Sequence, residues 1–442
     1  MKLGAVEPGA RKRVPLHTKI LIGLALGALA GFAARQGLGP GSEVLGKMVD
    51  WTKPVGEIFL NMIFMIVVPL LFAALVLGVS ELGDIKKVGR IGIRSLLMTI
   101  FLSGIAVLIG VGAINLVDPS KGISAAQKQT LIQEHSKEEK SVGDPVQEKD
   151  KAALGMIPKN PIRDAVAAFS GGILPFMVFA LIFGIALASI EPEKALPVKA
   201  FLEGLFAVSL KIIDYAMAIA PIGVFCLVFG SAAKLGYELF ATLGIYVMVV
   251  LVALAIHQFV TYSLVIKFIA RRSPLEFFKQ MRTVMATAFA TSSSNATLPT
   301  ALKAAEEDLG LPRQIGNFVL TVGATANQNG TALFEGITIV FLARLFGVDL
   351  TVSQQFMVMG LAIVGGIGTA GVPAGSLPMV AGVLSTLNVP ASAVGLIVGI
   401  DRIMDMSRTV LNVTGDMTIA TCVASMEERS GGISAIPEFA AE

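Results

Sequence analysis

Asp401-Arg402-Ile403-Met404-Asp405-Met406-Ser407-Arg408-Thr409-Val410-Leu411-Asn412-Val413-Thr414-Gly415-Asp416 is a charged run set inside one of the apolar stretches of the chain. Asp401, Asp405, Arg408, Asn412 and Asp416 stand at relative positions 0, 4, 7, 11 and 15. At about 100° per residue they fall within roughly an 80° arc of one helical face. Each Asp or Arg at mid-membrane costs at least ~2.5 kcal/mol. A stripe of this kind cannot face lipid, so it faces a protein interior or a wet cavity. Arg402 lies about 100° round from Asp401, just outside the arc, where it either snorkels or reaches the cavity.

A structural ion-pair ladder, Asp405 with Arg408 at i, i+3, is the plain reading of this face. Against it, three carboxylates meet one or two arginines, which leaves acceptors over. Spare carboxylates in a membrane call for cations, whether Na⁺, H⁺ or a substrate ammonium. Arg408 suits a planar carboxylate, which its guanidinium grips with two hydrogen bonds. An ammonium, a carboxylate and a second carboxylate together are the chemistry of aspartate or glutamate.

Composition agrees with lipid as solvent. The chain has 442 residues, 54% hydrophobic and 15% charged, against about 25% charged in ordinary soluble domains. Several apolar runs exceed the ~20 residues that cross a hydrocarbon core. They are continuous rather than alternating, so helices rather than a barrel are expected. A net charge of +3 gives no footing for a nucleic-acid partner. Cys226 and Cys422 both lie in apolar segments and read as core residues, not a disulfide framework. The run after Arg11-Lys12-Arg13 has the look of a signal peptide, but the many spans behind it favour a first span.

Spans are expected at 18–36, 54–80, 95–117, 162–190, 202–234 and 237–268. Lys2, Arg11, Lys12, Arg13 and Lys19 lead into the first; Lys86, Lys87, Arg90 and Arg94 separate the second and third. Arg271, Arg272, Lys279 and Arg282 follow the sixth. One crossing per span puts all three basic segments on one side, the cytoplasmic side by the positive-inside rule, with both termini there. Residues 118–161 then form an external loop, hydrophilic and flexible. Beyond Arg282 the pattern changes. Ser292-Ser293-Ser294-Asn295-Ala296-Thr297-Leu298-Pro299 interrupts one apolar segment, and Gly366-Ile367-Gly368-Thr369-Ala370-Gly371-Val372-Pro373 another. Between them Asn327-Gln328-Asn329-Gly330 breaks the span 318–345, and the last span covers 391–424. Two interrupted segments at matching positions point to inverted repeats with the site at their interface.

At these residues the chain resembles the glutamate transporter family, the dicarboxylate/amino acid:cation symporters. The run from Asp401 to Asp416 is similar to the family's last-helix signature, the serine-rich run to its first hairpin tip, and Gly366 to Pro373 to its second. Pro221-Ile-Gly-Val-Phe resembles its fifth span. The resemblance implies an all-α polytopic membrane protein of eight transmembrane helices plus two re-entrant hairpins, working as an elevator in a homotrimer in the cell inner (plasma) membrane. Residues 1–94 and 162–234 would form the scaffold, 95–117 and 237–425 the transport domain, and 426–442 a cytoplasmic tail. The second hairpin would be the external gate. Arg408 would hold the substrate's side-chain carboxylate and Asp405 its amino group. Thr331, Thr409, Asn412, Ser293, Ser294, Val372 and Gly375 would supply the rest. Family members with serine at position 292 tend to carry an arginine where Met406 stands; Arg402, one turn earlier, is a substitute for it.

The same resemblance implies Na⁺ sites. Asp416 keeps one carboxylate ligand, with carbonyls near Gly323, Asn327 and Asn412, and Thr325, Gly366, Ile367 and Thr369 are further candidates. The family's run Asn-Met-Asp-Gly-Thr is here Asn327-Gln328-Asn329-Gly330-Thr331. Asn329 keeps an oxygen but loses the charge, which weakens a hard-cation site. Family members with that site carry Tyr and Thr-Ser in the third span, where Thr99, Leu102 and Ser103 align here, so partners of the same site are altered together and a third Na⁺ site is expected to be lost. Fewer sodium ions, or protons carried on Asp401, Asp405 or Asp416, both fit, with Asp401 the first candidate for coupling. A dicarboxylate or neutral amino-acid carrier of the same fold is the alternative. Arg408 argues against neutral substrates and Asp405 against simple dicarboxylates. No enzyme is expected: Ser292 to Ser294 have no base at hand, with His17 and His135 in terminus and loop and His257 alone in a span. A passive channel would want rings of pore-lining groups rather than one asymmetric cluster.

Overall fold

The computed structural model describes residues 16–124, 127–133, 157–168, 173–368 and 375–431. Among the described residues the regular elements are helices. The first is α1 (Leu16–Leu38), followed by α2 (Glu43–Phe64), α3 (Val67–Val88) and α4 (Arg90–Leu116). The expected span 54–80 is thus two helices. Pro69 lacks the N–H that would bond the carbonyl of Met65, and the helix breaks there. The first part of α2 escaped a hydropathy reading because Glu43, Lys47, Asp50 and Lys53 sit in it.

After a short helix at Pro161–Val166 come α5 (Ile173–Ser189) and α6 (Pro192–Leu235), then α7 (Tyr237–Ile256). The last continues through π turns at His257–Thr261 and Ile266–Ala270. Helices α1 and α2 lie along α6, and α3 packs on α5 and α6. Gly23, Gly27 and Gly31 form the α1 face of this contact: a Cβ on Gly27 would stand 2.6 Å from the Phe225 carbonyl oxygen. Small residues at this spacing let two backbones approach where hydrophobic attraction between helices is weak. Phe72 of α3 meets Phe176, Phe179 and Phe183 of α5 at 5.4–5.9 Å between ring centroids.

The second half of the chain builds a different packing set. Helices α8 (Pro274–Thr291) and α9 (Ser294–Glu307) form a hairpin. Ser292 turns it in the left-handed region at φ 50°, and the Ser293 hydroxyl caps α9 by accepting from the Ala296 N–H at 3.2 Å. Then come α10 (Arg313–Ala326) and α11 (Asn329–Leu345), separated at Asn327 and Gln328 where the sequence placed the break. The arms around the second interruption are α12 (Val352–Gly368) and α13 (Leu377–Thr386); Thr369 and Val372 lie outside the described residues, as does the side chain of Ile367. Helix α14 (Gly395–Arg429) takes α8, α10 and α11 against it, and α4 packs along α11.

Two expectations need correction. The segment after α4 is not a free loop at its start: Pro119–Gly122 is a helical turn, and Leu131 is fully buried. Lys128 Nζ donates to the Arg344 carbonyl at 3.2 Å, and Gln127 Nε2 to that of Leu235 at 3.2 Å. Residues 134–156, the charge-rich remainder, lie outside the described residues. The tail expected from 426 begins too early. Helix α14 runs to Arg429, and buried Glu427 accepts from Arg90 Nη2 and Arg94 Nη1, both at 2.7 Å.

Among the described residues five helical stretches are long and apolar enough to cross a membrane: Thr18–Leu38, Glu43–Ser80 (α2 running on into α3), Arg90–Gly122, Pro192–Leu235 and Tyr237–Ala270. The broken pair α10–α11 is too short in each half, and α14 carries too many charges to register by hydropathy.

Candidate functional site

The polar face of α14 is buried as its spacing required. Asp401, Asp405, Arg408, Asn412 and Asp416 are each at most 6% exposed. Arg408 Nη2 donates to Asp405 Oδ1 at 2.8 Å and lies 3.2 Å from Asp401 Oδ1, the latter an ion pair without hydrogen-bond alignment. Its Nη1 donates to Ser376 Oγ at 2.9 Å, at the start of α13. Its guanidinium carbon stands 3.9 Å from the centroid of the Phe334 ring, a cation–π contact from α11. The Arg408 Nε–H has no partner. Arg402 Nη1 reaches Asp405 Oδ2 at 3.4 Å. Two carboxylates and two guanidiniums therefore balance here, and the surplus acceptor expected on this face belongs to Asp416 instead.

Asn412 docks the α10–α11 break onto α14. Its Oδ1 accepts from the Gly330 N–H at 2.7 Å; its Nδ2 donates to Thr331 Oγ1 at 3.2 Å and to Gln328 Oε1. Gly330 has to be glycine for close approach, since a Cβ would lie 2.7 Å from the Arg408 carbonyl oxygen. Thr409 is buried too, its hydroxyl spent on the Asp405 carbonyl.

Asp416 Oδ1 accepts from Asn327 Nδ2 at 2.6 Å, while Asn327 Oδ1 is buried without a hydrogen-bond partner. Beside them is a cavity of about 20 Å³, lined among others by Gly323, Asn327, Asp416, Thr99 and Ser95. That volume admits one water or a small ion. A Cβ on Gly323 would run into the Asp416 carboxylate, so this wall too is kept bare. A buried carboxylate answered by a neutral amide wants positive charge beside it. Carboxylate and amide oxygens are the donors a hard cation prefers. Of the cation candidates, Asp416, Asn327 and Gly323 come together here. Gly366 sits instead against the Gln328 carbonyl, where a Cβ would be 3.2 Å away, and Thr325 is partly buried on α10 away from the cavity lining.

Asn329 occupies a separate network. Its Oδ1 accepts from Ser103 Oγ at 2.6 Å, and its Nδ2 donates to the Tyr262 hydroxyl at 3.1 Å. That hydroxyl donates on to the Leu411 carbonyl at 3.1 Å. Ser103 thus meets Asn329 as aligned, whereas Thr99 faces the Asp416 cavity. An amide N–H occupies a direction that a carboxylate would leave to a cation. In the first hairpin the hydroxyls of Ser292 and Ser294 are buried without hydrogen-bond partners, Ser293 is the cap described above, and Gly375 is buried beside Ser376.

Sequence reasoning passed over Glu335. It is fully buried in α11, and a Cβ on Gly365 of α12 would stand 2.6 Å from its Oε2. A carboxylate in the apolar run Phe334-Glu335-Gly336 was itself the available signal. It was masked by the more conspicuous break a few residues before it.

The sodium:dicarboxylate symporter family matches the chain over residues 16–426. A proton/sodium-glutamate symport protein of Bacillus subtilis (strain 168) is 33% identical over 419 residues, 94% of each chain. The neutral amino acid transporter B(0) of Bos taurus is 31% identical over 455 residues, 95% of this chain and 81% of its own. The proton/glutamate-aspartate symporter of Escherichia coli (strain K12) is 29% identical over 383 residues, 86% of each.

Gly415 tests whether the Asn329 network is built as described. A Cβ there would lie 2.6 Å from the Tyr262 hydroxyl and 2.9 Å from Asn329 Nδ2. Gly415→Ala should destabilise the purified protein by about 1–3 kcal/mol, the usual range for overpacking. Thermal unfolding in detergent checks this, and an unchanged midpoint would count against the contact.

Proposed function

The chain belongs to the sodium:dicarboxylate symporter family, and on that premise we propose how it carries an acidic amino acid, aspartate or glutamate, across the plasma membrane together with cations. The observation that supports the substrate class is Arg408. It is a buried guanidinium with an unused Nε–H, held by two aspartates and by Ser376. A substrate side-chain carboxylate would take Arg408 from Asp405, and the substrate ammonium would take the freed Asp405. Asp405 and Arg408 then each exchange one opposite charge for another, and the substrate's second carboxylate brings one further negative charge that an accompanying cation would offset. Thr331, Thr409, Asn412, Ser293, Ser294, Val372 and Gly375 would line the remainder. Because Ser376 opens α13, occupancy at Arg408 is felt directly by the second hairpin. This suits that hairpin to the role of external gate.

Asp416, Asn327 and the backbone near Gly323 would hold a cation, Na⁺ by their donor chemistry. A bound cation would supply the positive charge that the Asp416 carboxylate lacks. Asn412 is spent on positioning Gly330, so its carbonyl rather than its side chain would serve. Thr325, Gly366, Ile367 and Thr369 would belong to a second site under the second hairpin. The amide of Asn329, neutral and hydrogen-bonded at both its oxygen and its nitrogen, supports loss of a third. Proton coupling would use a carboxylate buried near the substrate, Asp401 or Glu335. We read the whole as an elevator in a homotrimer, in a bilayer whose lipid covers the outer faces. Its eight spans and two hairpins leave both termini cytoplasmic, and α4 with α7 to α14 move against α1 to α3, α5 and α6.

A neutral amino-acid carrier of the same fold is the second reading, favoured by the relative of that name. Arg408→Ala separates the two. It should lower aspartate and glutamate uptake by roughly a hundredfold or more, as loss of charged hydrogen bonds implies, with much less effect on any neutral substrate. Equal loss for both, in protein that still elutes as one species, would contradict the acidic assignment. For the cations, Asn329→Asp should restore a negative charge beside Ser103 and Tyr262. The Na⁺ dependence of uptake should then steepen; an unchanged steepness would contradict the reading of a lost site.

A further inference from the structure

Tyr262 stands on the continuation of α7, just past the π turn His257–Thr261, and is fully buried. Its N–H closes that turn on the His257 carbonyl, and its ring meets the His257 imidazole edge-on at 4.8 Å between centroids. A π turn admits one residue more than an α turn and recurs at functional sites. Here it aims a side chain whose oxygen serves two other helices at once.

That oxygen accepts from Asn329 Nδ2 and donates to the Leu411 carbonyl, each at 3.1 Å. Asn329 immediately precedes Gly330, and Leu411 immediately precedes Asn412. Gly330 and Asn412 are the pair whose 2.7 Å bond docks the α10–α11 break onto α14. One phenol thus bridges the neighbours of that pair. Together the bridge and the bond fasten the start of α11 at two points and set where along α14 it rests. The register matters one residue further on. Thr331 Oγ1 and Asn412 Nδ2 stand 3.2 Å apart, both on the wall proposed above for the substrate. A carboxylate at 329 would draw a cation to hold this corner; the amide is held by Tyr262 and Ser103 instead.

We infer that Tyr262 is a positioning residue of the substrate site, whose hydroxyl acts through Asn329 to keep Thr331 beside Asn412 and does not touch the substrate. This rests on the function proposed above. Phenylalanine at 262 would take the acceptor from a buried amide N–H and leave the start of α11 fastened at one point.

Wild type, Tyr262→Phe, Asn329→Ala and the double variant, each reconstituted in proteoliposomes, test this. Exchange of external radiolabelled aspartate for unlabelled aspartate inside is followed against aspartate concentration. Tyr262→Phe should raise the half-saturating concentration about tenfold, the effect of one buried group left unpaired. Its maximal rate should fall by no more than about threefold. Asn329→Ala should raise the half-saturating concentration likewise, and the double variant no further than either alone, because the two side chains act as one unit. A lower maximal rate at an unmoved half-saturating concentration, as loss of packing would give, overturns the inference. So do effects that multiply in the double variant, as a hydroxyl in direct contact with substrate would give. Tyr262→Phe alone decides the first of these should Asn329→Ala yield no folded protein. Absence of aspartate exchange in the wild type would instead overturn the substrate reading and take this inference with it.

Discussion

Arg408, 2.8 Å from Asp405 and 3.2 Å from Asp401, sets the terms for everything packed around it. A charge in a medium of low dielectric has to be met by an opposite charge or by several hydrogen bonds, and the cost of failing is several kcal/mol per ion. The surrounding architecture answers that demand piece by piece. Phe334 offers a ring face from α11, Ser376 a hydroxyl from α13, and Arg402 a second guanidinium for Asp405. The same requirement is only partly met at Asp416, whose buried carboxylate is answered by the neutral Asn327 amide.

Broken helices make these answers possible. A continuous helix spends its backbone groups on itself, whereas the break at Asn327 and Gln328 leaves the Gly330 N–H for Asn412 and brings the Asn327 side chain to Asp416 at mid-span. Glycines at 323, 330 and 415 remove the side chains that would hold the pieces apart. Glycine also makes the two direct joints between the packing sets: Gly89 between α3 and α4 at φ 62°, and Gly236 between α6 and α7 at φ 77°. Positive φ costs little only for a residue without Cβ, so each joint turns within a single residue.

Much of this was legible beforehand because helical periodicity and the cost of buried charge are local and strict. The five residues from Asp401 to Asp416 could be assigned to one buried face from spacing alone. The break at Asn327 and the turn at Ser292 announced themselves by composition. What escaped depended on partners distant in sequence. Thr99 and Ser103, one helical turn apart, serve different sites because α4 passes between Asp416 and Asn329. Leu131 is buried by helices that a hydrophilic loop gives no hint of meeting. The equality of charges around Arg408 was hidden because Arg402 falls off the helical arc and reaches back through its length. Pro69 was visible, but its effect on a span that otherwise reads as unbroken was not weighed.

The central claim is that a buried, charge-balanced cluster exchanges its internal ion pairs for those of an acidic amino acid, with a cation beside Asp416 completing the balance. Uptake of radiolabelled aspartate by the purified wild-type protein in proteoliposomes, under an inward Na⁺ gradient and separately under an inward proton gradient, tests it most directly. Accumulation above equilibrium driven by at least one of the two gradients is the result expected. Uptake indifferent to both would contradict the account.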